Sequence, residues 1–246
     1  MIYGYDLALY KEFGVKVGIS LSERIYSNAL ITGSSGSGKS LSVLYLMGSL
    51  LHSTPETIVF ICDFKNSNDF NFLSSYEYYY QGENCYQGIM EYYSRFVHAR
   101  KEGINKRYVI VVDEYPAFLI HLETMDKLNK THQAKDILSA VSSLLMMGRG
   151  VGFGLWVVTQ RADSSWFSSG SRQNFMIICI LGRLYREEQL MLMSGEIIPD
   201  RIYQPGQGLL LADGQSLREV TFPWIKDLRS WKRQILRILH TNGRQL

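Results

Sequence analysis

At 246 residues, with 46% hydrophobic and 20% charged residues, the chain has an ordinary globular composition and is long enough for one large α/β domain. Its net charge of +3 permits contact with nucleic acid without arguing for it. Three scattered cysteines, Cys62, Cys85 and Cys179, indicate neither a disulfide framework nor a zinc site, and no apolar run approaches the roughly 18 residues of a membrane span. Buried reduced thiols, no signal peptide and a cytoplasmic setting are expected, with any recruitment to a membrane supplied by a partner.

In chain order, stretches 3–10 and 15–20 alternate loosely on either side of Gly14 and predict a small N-terminal β-hairpin. Residues 28–32 predict a short buried strand and residues 41–51 an apolar helix. Between them run Gly33, Ser34, Ser35, Gly36, Ser37, Gly38, Lys39 and Ser40, a complete G-x-x-x-x-G-K-[ST] phosphate loop. Its glycines let consecutive N–H groups turn inward onto phosphate oxygens. Lys39 is long enough to reach the β- and γ-phosphates, and the Ser40 hydroxyl is a ligand for Mg²⁺. The helix opening at the loop adds the positive end of its dipole. ATP and Mg²⁺ are the expected ligands.

Residues 57–62 form a continuous apolar run that reads as a buried parallel strand. It ends at Asp63, Phe64 and Lys65, on the edge where open α/β sheets bind ligands. Asp63 and Lys65 either touch nucleotide or Mg²⁺ or pair with each other. Residues 66–84 have weak periodicity and read as a long loop. The nearby tyrosines (Tyr76, Tyr78, Tyr79, Tyr80, Tyr86, Tyr92 and Tyr93) offer stacking surfaces, but interleaved glutamates favour packing over nucleic-acid contact.

A helix is expected over 85–101, then an apolar strand over 108–112 ending in Asp113 and Glu114. This has the form of a Walker B element: Asp113 for the Mg²⁺ shell, Glu114 as general base toward water. A helix over 132–147 leads through Gly148, Gly150, Gly152 and Gly154 into a strand at 155–158. Those glycines precede a strand instead of following one, so they are not a dinucleotide fingerprint. At the strand end Gln160 is placed to sense the γ-phosphate or orient water. Arg161 is a candidate to neutralise transition-state charge, here or in a neighbouring subunit, against a plain surface role; Arg149 is a second candidate.

Further strands are expected at 175–181 and 209–211, then a helix over 224–240. Trp224, Leu228, Trp231, Ile235 and Leu239 share one side of it. Lys226, Arg229, Lys232, Arg233 and Arg237 make a basic face, for which solvation is favoured over phosphate contact. Alternating strands and helices predict a mainly parallel sheet covered on both faces. The expected organisation is a hairpin extension over 1–25, an ATPase domain over 26–223, and a basic amphipathic helix over 224–246 packed on that domain.

The motif order GSSGSGKS, VIVVDEYPAFL and GRGVGFGLWVVTQRAD resembles the FtsK/SpoIIIE branch of the FtsK/HerA superfamily of DNA-pumping ATPases. More closely it is similar to the short coupling ATPases of Gram-positive conjugative plasmids and integrative elements, with ICDFKNSNDFNFL and NFMIICILGRL…PGQGLLLADG also fitting. The resemblance spans about residues 15–215, and its most discriminating part is the Gly-Arg-x-x-Gly-Phe…Thr-Gln-Arg segment. It implies a RecA-like core, typically assembled as a hexameric ring around double-stranded DNA, with hydrolysis at subunit interfaces driving translocation. It matches Lys39 and Ser40 to the phosphate-loop pair, Asp113 and Glu114 to the Walker B pair, and Gln160 to the sensor glutamine. Two departures stand out. Where relatives carry an arginine, Ile178 occupies the position, with Arg183 further on, so the trans-acting arginine is not assigned. The membrane-spanning and winged-helix segments of full-length translocases have no counterpart here.

The leading expectation is thus an ATP-driven DNA motor. The alternatives are an ATP-dependent switch or scaffold acting with a relaxase, replication protein or membrane channel, and a DNA packaging ATPase. A P-loop kinase is disfavoured, because Glu114 and Gln160 suit water activation.

Overall fold

The computed structural model describes every residue except 105, 162–165, 168–169, 184–185 and 244–246, the last three being the end of the expected C-terminal segment. The chain runs β1 (Ile2–Asp6), α1 (Leu7–Phe13), β2 (Gly18–Ser20), β3 (Ala29–Gly33), α2 (Lys39–Ser53), β4 (Ile58–Asp63), β5 (Tyr79–Gln81) and α3 (Cys85–Glu102). It continues β6 (Tyr108–Asp113), α4 (Tyr115–Asn129), α5 (Gln133–Met147), β7 (Phe153–Thr159), β8 (Ile177–Leu181), α6 (Arg186–Leu192), β9 (Gln207–Ala212), β10 (Arg218–Thr221) and α7 (Leu228–Gly243).

The strands make one ten-stranded sheet in the order β2-β1-β10-β9-β8-β3-β7-β6-β4-β5. From β8 to β5 every pairing is parallel, while β8, β9, β10, β1 and β2 pair antiparallel in succession. The parallel centre explains the apolar runs of the sequence. Strands β3, β4 and β7 are buried at every position, because helices cover both faces. Helices α3, α4 and α5 pack together on one side, and α2 with α7 on the other. This is the RecA-like α/β architecture that the motif order implies.

Strand order places the chemistry. Strand β7 lies between β3, which leads into the phosphate loop, and β6, which ends in Asp113. The tips of β3, β7, β6 and β4 therefore stand side by side, with Thr32 level with Thr159 and Asp63 level with Asp113. The buried Asn28 fixes the other end of this layer. Its amide nitrogen donates to the carbonyls of Leu145 and Asn174, both at 3.2 Å, and its amide oxygen accepts from the Leu155 N–H at 3.1 Å. One satisfied side chain thereby ties α5, β7 and the segment before β8 to the start of β3.

The N-terminal hairpin departs from its expected form. β1 and β2 do pair antiparallel, but the chain between them makes α1, not a turn. The Asp6 carboxylate accepts from the Leu9 N–H at 3.0 Å as an N-cap, and Gly14 closes the helix in the left-handed region at φ 67°. These local caps override the loose alternation of residues 7–10. Strand β1 also pairs with β10, which makes the hairpin an edge of the common sheet.

Two further differences lie near the site. Residues 66–84, expected as a loop, contain β5 and two 3-10 turns. Residues 115–129, for which the sequence reading names no element, form α4, with Pro116 in its first turn and Tyr115, Phe118, Leu119 and Leu122 buried at helical spacing. The tyrosine cluster packs inward: Tyr78 stacks on Phe60 with ring centroids 4.4 Å apart, and Tyr76, Tyr78 and Tyr92 are buried. The three cysteines are buried and unbridged.

Candidate active site

The loop leaving β3 needs its glycines for two reasons visible here. Gly38 has φ 91°, and a Cβ on it would stand 2.7 Å from the Gly206 nitrogen. A Cβ on Gly33 would meet the Leu181 carbonyl oxygen at 2.5 Å. The loop is thus wedged between the end of β8 and the turn before β9, and the Gly206 N–H donates to the Ser37 carbonyl at 2.8 Å. Ser35 and Gly36 sit exposed at the crest of the loop, Ser34 and Ser40 are half-buried, and Ser37 is buried.

Helix α2 opens at Lys39 with no side-chain cap and no acidic residue in its first turn. Its leading N–H groups have no intrahelical acceptor, so the dipole end is bare and suited to an anion. The Lys39 ammonium rests on the loop itself, donating to the carbonyls of Gly33 (2.5 Å) and Ser34 (3.0 Å). Burial lowers its pKa, opposed by the negative charge of Glu114 and Asp113.

Facing the loop are three carboxylates. Asp113 ends β6, and its pKa is pushed up to about 7, first by burial, then by the charges of Glu114 and Asp63, against relief from Lys65 and Lys39. Asp63, fully buried at the tip of β4, accepts from the Ser67 N–H at 2.8 Å and the Tyr79 hydroxyl at 3.0 Å, while its Oδ1 has no partner. Burial raises its pKa in spite of those bonds. Glu114 sits between β6 and α4 with φ 53° and ψ 42°, a left-handed conformation that costs a non-glycine residue about 1–2 kcal/mol. Gln160 Nε2 donates to Glu114 Oε1 at 3.0 Å, and Lys65 Nζ lies 2.7 Å from the same oxygen. A strained backbone held in place by two side-chain contacts is the pattern of a positioned functional group.

The site residues singled out in the sequence fall into two sets. Gly33 to Ser40, Asp63, Lys65, Asp113, Glu114 and Gln160 meet on one edge of the sheet. Arg161 is exposed just beyond β7, with its carbonyl accepting from the Thr159 hydroxyl at 2.6 Å. Arg149 is exposed near the N-terminal end of β7, the edge opposite the loop, and is removed from the cluster. Arg183 is exposed, and Ile178 is half-buried within β8. Sequence reasoning did not anticipate the Lys65–Glu114 ion pair or the turn at Gly206 against the loop.

A divalent cation fits these donors. Three carboxylates face two ammonium groups, so the edge carries excess negative charge, and a hydroxyl with a carboxylate (Ser40 and Asp113) are hard oxygen ligands. Among the described residues no group of three or more His, Cys, Asp or Glu side chains is arranged to hold a metal by itself. Mg²⁺ needs only one or two protein ligands, the rest being supplied by water and substrate phosphates.

No protein-family profile matches the chain, and no curated protein matches it. Solved structures do. EssC (ATPases 2 and 3) from Geobacillus thermodenitrificans superposes with a TM-score of 0.72 at 14% identity, over 99% of this chain and 49% of that one. The chain therefore spans about half the length of that EssC structure. The pCW3 conjugation coupling protein TcpA, in a monomer form with ATPγS, gives 0.70 at 18% identity over 90% of this chain and 67% of that one. The cytoplasmic domain of the type VII secretion ATPase EccC from Thermomonospora curvata gives 0.70 at 18%, over 97% and 30%. Two of these neighbours are named as ATPases, and the third is described with ATPγS. At such identities the likeness establishes a shared fold. No described helix is long and apolar enough to cross a membrane.

Proposed function

We propose that the chain hydrolyses ATP to move double-stranded DNA, as a translocase or conjugative coupling ATPase working in a ring oligomer, typically a hexamer, in the cytoplasm, with any recruitment to a membrane supplied by a partner. The observation that carries this reading is the convergence on Glu114. One carboxylate oxygen is shared by Gln160 and Lys65, on the same sheet edge as a bare helix N-terminus and a buried aspartate.

In this reading the amides of residues 33–40 and the Lys39 ammonium bind the phosphates, Lys39 exchanging loop carbonyls for phosphate oxygens. Ser40 and Asp113 would hold Mg²⁺, which neutralises charge developing on the phosphoryl oxygens when bound. Glu114 accepts the proton of the attacking water, and Gln160 orients that water and holds the carboxylate. Lys65 restrains Glu114 until the two side chains separate. Arg161 neutralises transition-state charge, in its own site or in that of a neighbouring copy.

A second reading is an ATP-dependent switch that assembles with a relaxase or membrane-channel partner without moving DNA. It is favoured by the likeness to EccC, which is named as a secretion ATPase. Phosphate release measured with and without duplex DNA over a range of salt separates the two. Stimulation by duplex is expected, and an unchanged rate would falsify the DNA motor. Sedimentation with ATPγS and duplex tests the ring, and a persistent monomer sinks it.

A further inference from the structure

Helix α7 carries an ordered basic stripe that the site chemistry does not use. Its sixteen residues, LRSWKRQILRILHTNG, contain no Asp or Glu. Arg229, Arg233 and Arg237 recur every fourth residue, with Lys226 just ahead of the helix, and all four are exposed. None of them makes a salt bridge within the described residues. At 1.5 Å per residue the three arginines span about 12 Å along one helix face.

The opposite face of α7 is fully engaged. Ile235 and Leu239 are completely buried. Trp231 stacks on His52 at 5.4 Å and donates its indole N–H to the Leu44 carbonyl at 3.0 Å. Lys232 Nζ donates to the Asp69 carbonyl at 2.7 Å, and Asn242 Nδ2 donates to the Thr57 carbonyl at 2.9 Å. Asp227 caps the first turn through the Ser230 N–H at 2.8 Å. The stripe is therefore mounted on a helix pinned at both ends and along its length.

These facts select a ligand class. A helix that lies on a membrane surface needs a free apolar face, and the apolar face of α7 is spent against α2 and β4. What remains is a row of cations that make no salt bridge among the described residues. It suits a regular polyanion contacted through its phosphates, with Trp224, 80% exposed at the end of the row, beside it. We infer that Lys226, Arg229, Arg233 and Arg237 form a contact surface for the phosphate backbone of double-stranded DNA. The inference rests on the DNA-motor reading and deepens it. Because Trp231 bonds the backbone of α2, the helix that begins with Lys39, the surface is one packed layer from the phosphate loop.

The test is binding of the full chain to a labelled duplex, followed by fluorescence anisotropy from low to moderate salt. For phosphate contacts the logarithm of affinity falls with the logarithm of salt by about 0.9 per contact. R229Q/R233Q/R237Q should keep the wild-type thermal midpoint, flatten that slope by about 2.7 and weaken binding more than about tenfold at low salt. R229K/R233K/R237K, which keeps the charge, should retain the wild-type slope. If the glutamine variant binds duplex with the wild-type slope, the surface is wrong while the motor reading stands. If the wild-type chain binds no duplex, both fall. Binding of phosphatidylserine vesicles that is lost in the glutamine variant, with duplex binding intact, overturns the inference in favour of a membrane.

Discussion

Replacing Asp113 with asparagine should stabilise the nucleotide-free protein while destroying its activity. In the folded chain its pKa moves from 3.8 to about 7, because the carboxyl is buried and faces Glu114 and Asp63. Lys65 and Lys39 offset only part of that repulsion. The direction follows from proton linkage. Between these two values the folded state holds a proton that the unfolded state has released, so stability falls as pH rises from about 4 to 7. Above pH 7 both states are ionised and the native fold bears the whole cost. At ~1.4 kcal/mol per pH step the cost is about 4 kcal/mol, which partial solvent contact reduces to roughly 2–4. For a domain of this size that corresponds to roughly 5–10 °C in thermal midpoint. The assay is calorimetric unfolding of wild type and D113N between pH 5 and 8 without nucleotide or Mg²⁺. D113N should be the more stable protein at pH 8, should approach wild type at pH 5, and should show a flatter profile. With Mg²⁺ and ATP the gap should narrow, because wild type gains more ligand stabilisation, up to about 2.7 kcal/mol at a hundredfold excess over Kd. A D113N protein less stable than wild type at pH 8 in the absence of ligand would refute the account of a strained carboxylate cluster.

The other expectations concern single roles. K39A should abolish ATPγS binding in a calorimetric titration, since no second cation lies on the loop. E114Q should keep that binding and lose about 10²- to 10⁴-fold in turnover, the usual contribution of a general base; near-normal phosphate release removes Glu114 from that role. K65M takes away a charge that lowers the Asp113 pKa, so any limb of the pH–rate profile set by Asp113 should move to higher pH, and an unmoved limb denies the coupling. G38A places a Cβ 2.7 Å from the Gly206 nitrogen at φ 91°. It should cost about 1–3 kcal/mol, seen as a lower thermal midpoint, even before nucleotide is tested.

The central strands were legible for a physical reason. Strands buried on both faces have no polar side to show, so β3, β4, β6 and β7 appear as largely apolar runs, with β4 and β6 closed by charged tips. Helix α1 inside the N-terminal hairpin escaped the sequence because local capping by Asp6 and Gly14 outweighs an alternation only a few residues long. Helix α4 had its signals, Pro116 in the first turn and apolar residues at helical spacing, and they went unused behind the acidic pair. The short strands β5 and β10 were beyond local reasoning. Strand β5 forms along β4, and β10, the hairpin partner of β9, is also held by the distant β1.

The site divides along the same line. Residues proposed to meet a ligand through their own loop, from Gly33 to Ser40, announce themselves by spacing, because a phosphate imposes one geometry on consecutive amides. Residues that act on one another do not. Lys65 follows β4 and Glu114 follows β6, and nothing in either segment says that these strands are neighbours level at Asp63 and Asp113. Once they are, a 2.7 Å contact between Lys65 and Glu114 follows from two tips facing the same way. The same adjacency brings Asp63 beside Asp113 and raises the pKa of the latter. An Asp-Glu pair at a strand end therefore marks where a base could stand. The cross-strand neighbours decide what holds that base and how much charge its site must absorb.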